Sequence, residues 1–216
     1  MQVTLQGLGH RFGAGPWLFR GLDAVLVPGH VYALTGPSGS GKSTLLSLLA
    51  GWETPAEGTV GRSDLGRVGW VFQNPHGVAR RTAADHVALP LLAAGATGRE
   101  ADRGARVLLD RFGLAHVADR PFRSLSGGEA QRLMLARGIA ARPGMFLVDE
   151  PTAQLDLATA GEVNEALARL ATESTIVVVA THDEHTRRAC TDHIDLRDHQ
   201  AARGEARGPV PSGSPS

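Results

Sequence analysis

A single cysteine, Cys190, is all that the sequence offers to sulfur chemistry. One thiol excludes an intramolecular disulfide, a cysteine-built zinc site and a CxxC redox pair, and it fits a cytosolic compartment. An excess of charge is also missing: 22 Lys+Arg balance 22 Asp+Glu, with nine histidines beside them. That balance argues against a nucleic-acid binder held by bulk charge, because a phosphate backbone is engaged through surplus positive charge. No window reaches the roughly 18 consecutive apolar residues of a membrane span, and residues 1–12 lack the apolar stretch of a secretory signal. If a membrane matters to this protein, another chain supplies the span.

What is present is an apolar content of 42% in 216 residues. That is enough for the core of one ordinary domain with a small inserted lobe, and it argues against intrinsic disorder. Glycine is rich, 27 residues against an average of about 7%, and reads as tight functional turns.

Short alternating runs at Val3, Leu5, Leu22, Val25 and Val27 with the Pro28-Gly29 turn read as an antiparallel β region. Residues 31–35 read as a buried strand that runs into a glycine loop, followed by a leucine-rich helix that stops near Gly51. A further β segment is expected at 67–72, then alanine- and leucine-rich helix over about 82–120. Within it Thr97 and Glu100 have capping-box spacing, Ala101, Ala105, Leu108, Leu109 and Phe112 form one apolar face, and Gly113 is a stop. From Ser126 onward the pattern is helix, buried strand (145–148), helix, buried strand (176–180). Continuous apolar strands alternating with amphipathic helices predict an α/β fold with a mostly parallel sheet covered on both faces. The antiparallel region would form a second lobe, and residues of about 75–128 an inserted helical lobe. The domain is expected to span 1–200, and the Gly-, Pro- and Ser-rich stretch 201–216 to be a disordered tail.

Gly36-Pro37-Ser38-Gly39-Ser40-Gly41-Lys42-Ser43, continued by Thr44, matches the phosphate loop G-x-x-x-x-G-K-[ST]. Its glycines let consecutive backbone N–H groups turn inward around phosphate oxygens, Lys42 would hold the terminal phosphates, and Ser43 would ligate Mg²⁺. The strand Met145-Phe146-Leu147-Val148 delivers Asp149 and Glu150 at its carboxyl end, where ligands of open α/β sheets bind. Asp149 would support the Mg²⁺ shell and Glu150 would polarise the attacking water of a phosphoryl transfer.

Leu125-Ser126-Gly127-Gly128-Glu129-Ala130-Gln131-Arg132 opens a helix through a Ser126–Glu129 capping box, presenting a positive end and bare glycine amides to an anion. With this segment the chain, over about residues 3–198, resembles the ATP-binding subunits of ABC (ATP-binding cassette) transporters, whose signature motif is of this LSGGQ type. The resemblance implies a P-loop, RecA-like ATPase that binds ATP and Mg²⁺ and pairs head to tail, as a homodimer or a heterodimer. Ser126, Gly127 and Gly128 would then contact the nucleotide held by Lys42 of the other subunit.

By the same resemblance Gln73 is the Q-loop glutamine that meets Mg²⁺ and the attacking water, and His182 the switch histidine that contacts the γ-phosphate. Asp156 is the D-loop aspartate that crosses the dimer interface, and Phe12 stands where the family stacks an aromatic on adenine. Trp17 and Phe19 are nearby and compete for that place. An integral-membrane permease is implied as partner, its coupling helix received in a groove just after the Q-loop, beside Arg80-Arg81. The subunit would sit on the cytoplasmic face of the membrane, with no nucleic acid engaged. The order of helices looks most like the lipoprotein-release and macrolide-export branch. The alternative is a soluble ATP-switched clamp of DNA repair or translation, whose relatives usually carry long insertions; here only 52 positions separate Gln73 from Leu125.

Three departures stand out. Lys42 and Gln73 are only 31 positions apart, so the antiparallel lobe is expected to lack a hairpin or long loop. The stretch Asn74-Pro75-His76-Gly77-Val78-Ala79-Arg80-Arg81 lacks the apolar residues common there, and Ala153-Gln154 replaces the usual small pair of the D-loop.

Overall fold

A computed structural model describes residues 1–153, 155–171 and 175–200. Gln154 and the expected tail 201–216 lie outside the described residues. The chain opens with β1 (Gln2–His10) and β2 (Phe19–Leu26), then β3 (Val31–Thr35), α1 (Lys42–Ala50), β4 (Glu57–Ser63) and β5 (Val68–Val71). Four helices follow with one strand among them: α2 (Ala83–Ala93), α3 (Gly98–Arg111), α4 (Gly127–Ala140), β6 (Met145–Asp149) and α5 (Leu157–Ala171). β7 (Ile176–Ala180), α6 (Glu184–Ala189) and β8 (Asp192–Asp195) complete the described fold.

Two sheets result. One is antiparallel with order β2-β1-β4, and the other is parallel with order β5-β6-β7-β3-β8. The unbroken apolar runs of β6 and β7 are explained by burial on both faces of the parallel sheet. Met145, Leu147, Ile176 and Val178 pack with α1 and the antiparallel sheet. Their alternates Phe146, Val148, Val177 and Val179 pack with the core of α2, α4 and α5.

The helical stretch expected over 82–120 holds two α-helices, because Gly95 at φ 95° ends one and Thr97 caps the next. A second capping box, Thr82 with Asp85, starts α2. Strand β4 was not foreseen. It is nearly all exposed, so it lacks the apolar alternation that marks a half-buried strand. Residues 64–67 alone join it to β5, with Asp64 and Gly66 at positive φ, which is how the short Lys42–Gln73 spacing is accommodated.

Candidate active site

At the carboxyl end of β3 the chain turns through residues 36–41 into α1. Glycine is required here for two different reasons. A Cβ on Gly36 would lie 2.6 Å from Ser40 Oγ, and one on Gly41, at φ 96°, would lie 3.1 Å from Leu18 and Phe19. Gly41 caps α1 without a side-chain hydrogen bond, and the first turn has no acidic residue, so the opening amides of the helix remain available to an anion. Lys42 Nζ donates to the carbonyls of Gly36 (2.9 Å) and Pro37 (3.3 Å), which holds the ammonium over the loop.

Ser43 Oγ donates to Asp149 Oδ2 at 2.7 Å, tying the loop to the end of β6. Burial raises the Asp149 carboxyl above its ordinary range, opposed by the Ser43 hydrogen bond, raised further by the Glu150 charge and opposed again by Lys42. The next residue, Glu150, takes φ 50°, a left-handed conformation rare for a side chain of this size, which swings its carboxylate away from that of Asp149. Its backbone N–H is fixed by Ala180 O at 2.9 Å. Glu150 Oε1 meets His182 Nδ1 at 2.8 Å, and the His182 amide donates to Oε2 at 3.4 Å. The carboxylate side chain is 9% exposed and the imidazole 70%, so a sheltered acid reaches solvent through an open ring.

These groups share one cleft of about 750 Å³, within the size range of small-molecule sites. Residues 36–39 and 41–44 line it, with Phe12, Gln73, Glu150 and His182. Ser40 is buried behind the loop. Packing sets the three candidate aromatics apart. Trp17 is flanked by the guanidinium groups of Arg11 and Arg20, Phe19 is fully buried, and Phe12, 61% exposed, reaches the cleft beside Leu18. The His10 ring meets Phe12 edge-on at 5.0 Å.

Ser126, Gly127, Gly128 and Asp156 do not line this cleft. Ser126 caps α4 in a reciprocal box with Glu129, and Asp156 accepts from the Thr159 amide and hydroxyl ahead of α5. A link between the two regions comes from Gln131 of α4, whose Nε2 donates to Phe72 O at 3.5 Å, one residue before Gln73. Sequence reasoning missed this contact, as it missed Asp183. That carboxylate caps α6 and accepts from Thr186 Oγ1 at 2.8 Å and Thr152 Oγ1 at 3.5 Å, bracing the residue after His182 against the segment after Glu150.

The donor set suits a nucleotide and Mg²⁺: a glycine-built amide cradle, an ammonium, and hard oxygen donors from Ser43 and Gln73. This is a phosphate-loop nucleotide site. Residues 19–153 match the ABC transporter family, and the chain belongs to that family. It is 39% identical to the lipoprotein-releasing system ATP-binding protein LolD of Gluconobacter oxydans (strain 621H), with 91% of this chain and 93% of that protein covered. It is also 39% identical to LolD 2 of Caulobacter vibrioides (strain ATCC 19089 / CIP 103742 / CB 15), over 84% of this chain and 86% of that one. Among solved structures, the ATP-binding cassette MJ0796, described as a dimeric post-hydrolysis state bound to ADP and Pi, superposes with TM-score 0.79 at 30% identity, covering 90% of this chain and 94% of that one. A putative metal-chelate type ABC transporter in an inward-facing conformation gives TM-score 0.76 at 31% identity, covering 90% of this chain and 79% of that one.

Proposed function

We propose that this chain is the ATP-hydrolysing motor subunit of an ABC transporter, closing on ATP as a dimer and driving a separate membrane permease. The observation that carries this reading is the Glu150–His182 pair at 2.8 Å in a cleft built on the phosphate loop. The similarity to lipoprotein-releasing ATP-binding proteins and to a cassette described with ADP and Pi supports it.

In this reading the loop amides and Lys42 hold the phosphates, and Phe12 stacks on the base. Ser43 and Gln73 would hold Mg²⁺, with Asp149 fixing the Ser43 hydroxyl; bound there, the ion would neutralise charge on the phosphate oxygens. Glu150 takes a proton from the attacking water. A carboxylate accepts only, so the contact at Oε1 requires the proton of His182 on Nδ1, and Nε2 is left to face the nucleotide.

Ser126, Gly127 and Gly128 lie outside their own cleft, and in the dimer they complete the partner's, with Asp156 at the interface. Their helix start supports this role, because its unpaired amides and positive dipole end favour a phosphate. Among the described residues no helix is long and apolar enough to cross a membrane. Attachment to the cytoplasmic face is therefore assigned to the permease, which docks after Gln73. No observation favours the soluble clamp.

The test is to purify tagged Glu150→Gln protein from detergent-solubilised membranes with ATP and identify its companions by mass spectrometry. A multi-span permease at stoichiometric yield is expected. Ribosomal or DNA-associated factors without a membrane protein would contradict the transport reading.

A further inference from the structure

The loop that carries Phe12 spans residues 11–18 between β1 and β2, with Gly13 at φ 56°. The Leu18 amide closes its base by donating to His10 O at 3.0 Å, and the Gly15 amide tightens its tip on Phe12 O at 3.0 Å. Backbone bonds fix the path of a loop and not the rotamer of its side chains. Phe12 is 61% exposed, so its ring takes its orientation from the neighbour that stands beside it.

That neighbour is His10. Its imidazole belongs to the last residue of β1, is only 5% exposed, and meets the Phe12 ring edge-on, with centroids 5.0 Å apart and planes at 83°. Edge-to-face is a favoured arrangement of two rings, because the positive rim of one meets the negative face of the other. His10 is itself held in place. It pairs across the antiparallel sheet with Phe19, which is fully buried and would lie 3.1 Å from a Cβ on Gly41 of the phosphate loop. Trp17, the other large ring of the loop, lies 3.1 Å from the Cβ position of Gly9, and successive residues of a strand face opposite sides, so it stands across β1 from His10.

The polar atoms of His10 indicate what the ring does. Neither Nδ1 nor Nε2 has a hydrogen-bond partner among the described residues. A buried polar group left unpaired destabilises a fold, so an apolar side chain would suit the packing better. What sets the imidazole apart from an aliphatic group here is its flat ring against Phe12. His10 does not line the nucleotide cleft, so its effect on a ligand passes through Phe12.

We infer that His10 is a positioning residue for the nucleotide base: its buried ring holds Phe12 in the stacking orientation before the ligand arrives, and ties that platform through Phe19 to the phosphate loop. This role rests on Phe12 being the base-stacking aromatic and adds what orients it. A platform ordered in advance spares the ligand the entropy of ordering it, and the difference appears as affinity.

The experiment titrates the full chain by calorimetry with ADP and with inorganic pyrophosphate, a probe that has no base. His10→Leu keeps a similar volume and removes the ring, whereas His10→Phe keeps a ring and removes the nitrogens. Both replace an unpaired polar group by an apolar one, so both should melt no lower than the parent chain. His10→Leu is expected to weaken ADP about three- to tenfold and to leave pyrophosphate unchanged, while His10→Phe binds ADP as the parent does. In a Phe12→Ala background His10→Leu should bring no further loss. In steady-state hydrolysis the His10→Leu loss should fall on KM for ATP and not on kcat. Undiminished ADP affinity in His10→Leu, equal losses for ADP and pyrophosphate, or the same loss in the Phe12→Ala background overturns the inference, as does a His10→Phe chain that binds as weakly as His10→Leu. An ADP affinity unchanged by Phe12→Ala would remove the stacking role itself, while the motor reading, which stands on the phosphate loop and the Glu150–His182 pair, would remain.

Discussion

The Glu150 carboxylate and the His182 imidazole meet at 2.8 Å although the residues lie on different strands' ends, 32 positions apart. Two backbone facts create this meeting. Glu150 departs from β6 at φ 50°, and its amide is anchored on Ala180, the last residue of β7. The pair therefore acts as one unit, the acid sheltered and the imidazole holding its orientation.

If that is so, Glu150→Gln and His182→Ala should not combine multiplicatively. Each single variant is expected to lose about 10²- to 10⁴-fold in ATP turnover, and the double variant to fall no further than the weaker single. Steady-state phosphate release on the four proteins reads this. Losses that multiply would show the two side chains act independently.

Lys42→Ala should act on binding. The ammonium sits over the loop through the Gly36 and Pro37 carbonyls. Its removal is expected to weaken ATP by about tenfold or more in a fluorescent-nucleotide titration and to abolish the rise in melting temperature that ATP gives the parent. Unchanged affinity would refute its role.

Much of this site was legible in the sequence because its chemistry depends on residue type at fixed spacing. The glycine loop could be read from residues 36–43, and the carboxylate pair from the apolar run before Asp149. The Ser126–Glu129 box was also visible, since a cap is a local contact. Contacts made across the fold were not legible. Nothing in the residues around Glu150 announces its left-handed backbone or the bond of its amide to Ala180 O on a strand 30 positions away. Gln131 on Phe72 and Thr152 on Asp183 join segments 59 and 31 positions apart. Likewise the stack of Trp52, Trp70 and Phe72, with neighbouring ring centroids 4.7 and 5.0 Å apart, appears only once the end of α1 and strand β5 are side by side.

The short link between the β lobe and β5 makes a stability prediction. A Cβ on Gly144 would fall 1.9 Å from Leu65 O and 3.1 Å from Met1 Sδ, so Gly144→Ala must displace backbone. A loss of about 1–3 kcal/mol is expected by urea unfolding. Gly161 of α5 has nothing within 4 Å of such a Cβ, and Gly161→Ala should gain roughly 0.5–1 kcal/mol. Equal effects at both positions would contradict the packing.

Burial pushes the Cys190 thiol up to about 11, and its Sγ–H donates to Thr186 O at 3.2 Å. Because the folded value is raised, the folded chain keeps a proton that the unfolded chain releases, so this contribution to stability is lost as pH rises towards 11. Alkylation by iodoacetamide at neutral pH should be slow in the folded protein and fast in urea. Equal rates would show an open thiol.

The most direct test of the motor is the oligomeric state of Glu150→Gln by size-exclusion chromatography with and without ATP. In this variant phosphate binding should remain and only water activation should be lost. A monomer that becomes a stable dimer with ATP, without turnover, is the predicted result. A monomer in ATP with undiminished hydrolysis would contradict the account.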